Sequence, residues 1–174
     1  MKNVILKWGV AGAIGVVSLG VLFYLFNVEY SSKVRYVTFL VSIGVIIAAM
    51  MEYRDKINGG VASFGNLFVV GLGIGCVIGL IGGIWAVIYP LYLDTEMYTR
   101  ILLETEINLE EAGLDKVQIK EALKWTEMMF KPWIVYFMSL MGNVVGAVII
   151  SLPAGLIIKK DKPMFEEQIL DSDN

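Results

Sequence analysis

Four stretches of this chain, residues 8–26, 36–51, 67–89 and 132–158, carry no Asp, Glu, Lys, Arg or His. An α-helix needs about 20 mostly apolar residues to cross a bilayer, and only internal hydrogen bonding satisfies a backbone surrounded by lipid. The stretches therefore predict an all-α, polytopic membrane protein with four transmembrane helices. The third lies inside a longer uncharged run, 57–93. The second is short, so Arg35 and Glu52 at its flanks are expected to snorkel, or the membrane to thin. Composition points the same way: 57% of residues are hydrophobic and 18% charged, against about 25% charged in soluble domains. The mean hydropathy is +0.70. Aromatic residues mark the span ends, among them Trp8, Tyr24, Tyr89, Tyr92, Trp133 and Tyr136, where such rings favour the headgroup level. The first stretch follows Lys2 and Lys7 as a signal peptide would, but no small-residue cleavage site succeeds it, so it is kept as a span.

Four spans put both termini on one side of the membrane. Lys and Arg close to span ends favour the cytoplasm. A bare count ties. Discounting Lys116, Lys120 and Lys124, which lie deep in the third loop, favours both termini inside, with Lys2, Lys7, Arg54, Lys56, Lys159, Lys160 and Lys162.

That third loop, 94–131, is then extracytoplasmic and is the one sizeable polar region. It carries nine acids and reads as a short helical insertion. Asn108 with Glu111 fits a helix start, with Gly113 as its stop, and Asp115 with Gln118 begins a second helix. On the second helix Lys116, Lys120, Lys124 and Glu127 form a narrow polar stripe. Ile119, Leu123, Trp125, Met128, Met129 and Phe130 cover much of the remainder. A helix so widely apolar has to lie against something, which makes Trp125, Met128 and Met129 candidate partner or headgroup contacts. The stretch 165–174 reads as a loose acidic tail.

Within the spans the informative residues are small. Gly71, Gly75, Gly79 and Gly83 recur every fourth position and share one helix face. Gly142 and Gly146 repeat the spacing in the last span beside Asn143, and Ala11 and Gly15 do so in the first. In lipid, such spacing lets two backbones approach closely, so these are candidate helix-packing positions, with the third span central. Asn143, the most polar side chain at depth, reads as a helix–helix hydrogen bond.

The chain excludes much chemistry. It has no histidine and a single cysteine, Cys76, so no general base of the usual kind, no cysteine metal cluster and no internal disulfide is expected. Ser63 and Ser139 lack a histidine to activate them. No ionisable residue sits at membrane depth, which argues against an ion-coupled pump. A formal charge of -3 without a basic block argues against nucleic acid. Gly71, Gly73 and Gly75 scan like a dinucleotide fingerprint, but no strand precedes them and no ribose-binding acid follows. No enzymatic activity, cofactor or metal is expected.

Between the second and third spans runs "EYRDKINGGVASFG". Its charges can pair with one another, and Gly59 and Gly60 permit a tight reversal. This pattern of Arg54, Asp55, Lys56, Gly59, Gly60 and then Ser63, Phe64 and Gly65 resembles the bacterial integral-membrane family catalogued as domain of unknown function 4199. The opening "MKNVILKWGVAGAI", the stretch "AGLDKVQIKEAL" and the closing "IIKKDKP" are similar to that family too. Leu114 and Asp115 stand where its loop helix often begins with a Met-Ser or Leu-Ser pair. The resemblance implies a four-span protein of the bacterial inner membrane, with a role accessory to an envelope-glycan glycosyltransferase as one expectation. The residues themselves support a non-enzymatic accessory or scaffold protein, embedded in the lipid bilayer and acting on a membrane-protein partner or as a homo-oligomer. Arg54, Asp55, Lys56, Gly59 and Gly60 are candidate contacts at the inner surface. The alternative is a small transporter or lipid-handling protein, which requires a cavity between the spans near Ser139 and Asn143.

Overall fold

The computed structural model describes residues 1–26 and 32–160; the side chains of 32–35, Lys33 and Arg35 among them, and the stretch holding Lys162 and the acidic tail fall outside the described residues. Six helices make up the described chain: α1 (Lys2–Leu25), α2 (Ser32–Glu52), α3 (Phe64–Ile88), α4 (Met97–Glu111), α5 (Lys116–Met129) and α6 (Pro132–Ile158). Wider π-helical turns extend α2 over Tyr53–Ile57 and α3 over Tyr89–Leu93. The described residues hold no β-sheet, only one antiparallel bridge between Ala62 and Lys160. Four helices are long and apolar enough to cross a membrane: Lys2–Leu25, Tyr36–Ile57, Phe64–Leu93 and Pro132–Ile158.

The second span is longer than its sequence suggested. The helix winds on past Glu52, whose carboxylate accepts from Lys7 Nζ at 2.8 Å and from Trp8 Nε1 at 2.7 Å. The continuation, over Tyr53–Ile57, is a wider π-helical turn closed by Asn58 N–H on Tyr53 O at 3.0 Å. At the far end of α3, Pro90 has no N–H and its ring would crowd the preceding turn, and the wider π turn there accommodates it.

α3 is the central helix, packing on α1, α2 and, most extensively, α6. Its glycines set how closely. A Cβ at Gly79 would lie 2.9 Å from Leu140 Cδ1 and 3.1 Å from the Leu140 carbonyl, and one at Gly83 would lie 2.9 Å from Tyr136 Cδ2. A Cβ at Gly75 would overlap Ala147 Cβ, and one at Gly71 would overlap the Ser151 hydroxyl. The face of α6 turned to α3 is therefore Tyr136, Leu140, Asn143, Ala147 and Ser151. Gly142 and Gly146 lie off that face: a Cβ at Gly142 meets nothing within 4 Å and one at Gly146 only Phe39 at 3.8 Å. In α1 the close positions are Gly9 against Val77, Gly12 against Ile78 and Gly20 against Trp85. Ala11 and Gly15 do not share that role, since Ala11 is exposed and Gly15 meets only Val41, at 3.9 Å.

The insertion is a helical hairpin. α4 begins at Met97, so Asn108 is not a helix start but stands in the last turn, accepting from the Ala112 amide at 3.1 Å. A polar residue with Glu three positions on also suits a helix interior, which is why the local pattern misplaces the boundary. Gly113, at φ +78, ends α4, with Gly113 N–H bonded to Glu110 O at 2.9 Å and Leu114 N–H to Leu109 O at 3.2 Å. Asp115 then caps α5, accepting from the Val117 and Gln118 amides, while Gln118 Oε1 accepts from the Asp115 amide at 3.2 Å.

We expect Gly75→Leu to separate α3 from α6 and cost about 1–3 kcal/mol of stability, the usual range for overpacking. Gly44→Leu, whose side chain meets nothing within 4 Å of its Cβ, serves as the control. Thermal unfolding in detergent, with Gly75→Leu melting clearly below Gly44→Leu, is the check.

Candidate functional site

Three places collect the residues that the sequence singles out. The first is the end of the bundle holding the N-terminus of α1, the turn between α2 and α3, and the C-terminus of α6. Arg54 Nε and Nη2 donate to the two oxygens of Asp55 at 2.6 and 3.0 Å, and Arg54 Nη1 donates to the Ile158 carbonyl at 3.1 Å. That carbonyl belongs to the last turn of α6, which has no intrahelical partner of its own. Gly59 and Gly60 take φ +66 and +86, and Gly60 N–H closes on Arg54 O at 2.8 Å. Asn58 Nδ2 donates to Val61 O at 2.6 Å, and Ala62 and Lys160 exchange backbone bonds of 2.9 and 3.0 Å. Arg54, half-buried, thus latches the α2–α3 turn to α6, with the exposed Asp55 paired to it, while Lys56 is also exposed. Arg54 and Asp55 form one pair, and no hydrogen bond joins Lys56 to it.

The second place is a crevice between the spans. One lobe, of about 310 Å³, is bounded by α1, α3 and α6 and reaches Met97 and Tyr98 of α4. A second, of about 660 Å³, lies between α2 and α6, with Phe39, Ser42, Gly142 and Gly146 in its wall. Ile78, Ser139 and Asn143 line both, so the lobes adjoin along those residues. The lining has no charged side chain. Asn143 makes no bond to another helix: its Nδ2 donates to Ser139 O at 2.8 Å, one turn back in α6. Ser42 does likewise, donating to Thr38 O at 3.1 Å. The lipid-handling alternative named its place near Ser139 and Asn143; its extent past Gly82 and Gly142, glycines without an opposing neighbour, is visible only once α6 is oriented.

The third place is the α4–α5 hairpin. Tyr98 stacks on Phe130 with ring centres 4.3 Å apart, and partial burial pushes the Tyr98 phenol up. Ile119 is buried, and Arg100 pairs with Asp94 at 2.6 Å. Trp125 and Met129 stay exposed, at 64% and 47%, and Met128 is half-buried. The hairpin packs on itself far more than on the bundle.

Among the described residues no group of three or more Cys, Asp or Glu is placed to hold a metal ion. Bundle, latch and hairpin together define a polytopic α-helical membrane protein. Residues 7–160 match the family described as protein of unknown function (DUF4199), and the chain belongs to it. No curated protein and no solved structure matches the chain.

Replacing Arg54 by Ala removes the link between the α2–α3 turn and α6. The expected result is faster hydrogen exchange at the Ala62 and Lys160 amides, by about tenfold or more, with exchange in the middle of α3 unchanged. Hydrogen-exchange mass spectrometry in detergent reads it.

Proposed function

We propose that the chain is a non-enzymatic membrane accessory or scaffold protein that works by contact with a membrane-protein partner. The observation that carries this reading is the hairpin: it is internally capped and packed, yet turns Trp125 and Met129 outward. Large exposed aromatic and Met side chains are the types that anchor interfaces. The segment 94–131 holds nine acids and five bases, so the partner surface it fits is basic as well as apolar. Lys2, Lys7, Arg54, Lys56, Lys159 and Lys160 gather at the opposite end near the span ends, which supports both termini inside and an extracytoplasmic hairpin. The family resemblance makes the bacterial inner membrane the expected location and an envelope-glycan glycosyltransferase one partner to test.

A second reading, a lipid-handling protein, is favoured by the crevice at Ser139 and Asn143, where that alternative requires a cavity.

Trp125→Ala with Met129→Ala is expected to lower recovery of the co-purifying membrane protein by about tenfold, corresponding to the loss of one interface anchor. The melting temperature should stay within a degree or two of wild type, because both side chains are exposed. Quantitative mass spectrometry of the protein purified under mild detergent measures both recovery and partner identity. Equal recovery from variant and wild type would remove the hairpin face from the proposal.

A further inference from the structure

We propose that the crevice between the spans, open to the lipid at Phe39, Met138 and Gly142, is a binding site for one hydrocarbon chain of a membrane lipid. The inference rests on the lipid-handling reading and names what the crevice takes.

Volume comes first. Lobes of about 310 and 660 Å³ fall in the range of roughly 300–1,000 Å³ typical of small-ligand sites. A transmembrane helix is too large: three turns at a diameter of about 10–12 Å occupy on the order of 1,500 Å³. Chemistry comes second. The walls are mainly alkyl, aromatic and glycine surface, and of the polar side chains Thr38, Ser42, Ser139 and Asn143, two turn their donors back on their own helices, Asn143 to Ser139 O and Ser42 to Thr38 O. A sugar, ion or charged head group would find no opposite charge here. Water holds poorly in an apolar cavity that offers few polar partners. An empty space would forfeit dispersion contacts along its whole lining. A flexible alkyl chain restores those contacts without asking for hydrogen bonds, and the surrounding bilayer supplies it.

The glycines explain why the space exists. Gly142 and Gly82 line the two lobes, and a Cβ at either meets nothing within 4 Å. Gly146, one turn beyond Gly142, faces Phe39 of α2 at 3.8 Å, so Gly142 looks the same way. A side chain grown from these positions enters the crevice, not a neighbouring backbone.

The test uses full-length protein in dodecyl maltoside, read by native mass spectrometry, with palmitoyl-oleoyl phosphatidylethanolamine and dioleoylglycerol as added probes. One lipid per chain is expected on the wild type, with occupancy differing by no more than about twofold between the two head groups. Gly142→Leu and Gly82→Leu, made separately and together so that at least one folded variant is in hand, should each lower occupancy, and the pair by about tenfold or more. Gly44→Leu, on an exposed face of α2, should keep it. Lipid retained equally by all variants overturns the crevice as the site while leaving lipid handling standing. Folded wild type that takes up neither probe overturns both. If Gly142→Leu instead splits a dimer that carries no lipid, the crevice seats a second copy and the inference is wrong.

Discussion

Everything else in the structure depends on how closely α3 and α6 approach. Between membrane helices the hydrophobic effect offers no drive, because lipid tails are as apolar as leucine, so the surplus must come from packing and from weak polar contacts at short range. Four positions on α3 lack a Cβ where α6 presents Tyr136, Leu140, Asn143, Ala147 and Ser151. Two of the α6 carbonyls, those of Leu140 and Asn143, come within 3.1 Å of where a Cβ would stand on α3. Backbone, unlike a flexible side-chain end, cannot step aside. The Ser151 hydroxyl, fully buried and without a conventional hydrogen-bond partner among the described residues, sits against Gly71, where a Cα–H contact is what it can find.

The latch follows from that geometry. With α3 and α6 held together, the turn that feeds α3 and the end of α6 lie side by side, close enough for Ala62 and Lys160 to exchange backbone bonds. Arg54 satisfies a terminal carbonyl of α6 while Asp55 keeps its charge compensated. A lysine would supply the charge but not the forked geometry. On the other flank Glu52 ties the end of α2 to Lys7 and Trp8 of α1. The exposed ion pairs are each worth little, but together with the backbone bonds they join all four spans at one end.

The sequence made the all-helical, four-span architecture legible, because charge-free length is a property of single segments. The helical insertion was legible too, through the Asp115–Gln118 box and Gly113. The boundary at Asn108 was not, since the same residues serve a helix interior and a helix start. Nor was the pairing of Glu52 with Lys7, 45 residues away in the chain. Spacing puts Gly142 and Gly146 on one face by arithmetic, but it does not say which helix, if any, lies opposite. The same holds for Asn143, whose side chain turned to its own helix. What failed to be legible is pairwise and long-range, and it concerns orientation, not type.

This gives glycine two opposite roles in one bundle. Where a partner backbone lies across from it, as at Gly75 and Gly79, the missing side chain closes the structure. Where nothing lies across, as at Gly82 and Gly142, the missing side chain leaves volume. α2 packs far less extensively on α3 and α6 than those two pack on each other, and Gly142 lies along that looser seam, while Gly82 lines the lobe next to it. Arg54, bonded to the Ile158 carbonyl of α6, holds the seam at one end, while α4 and the Tyr98–Phe130 stack stand at the other. A bundle pinned at one end, rigid along one pair and open along the adjacent seam is a scaffold that can accommodate a chain in the gap without disturbing the pair that holds it together.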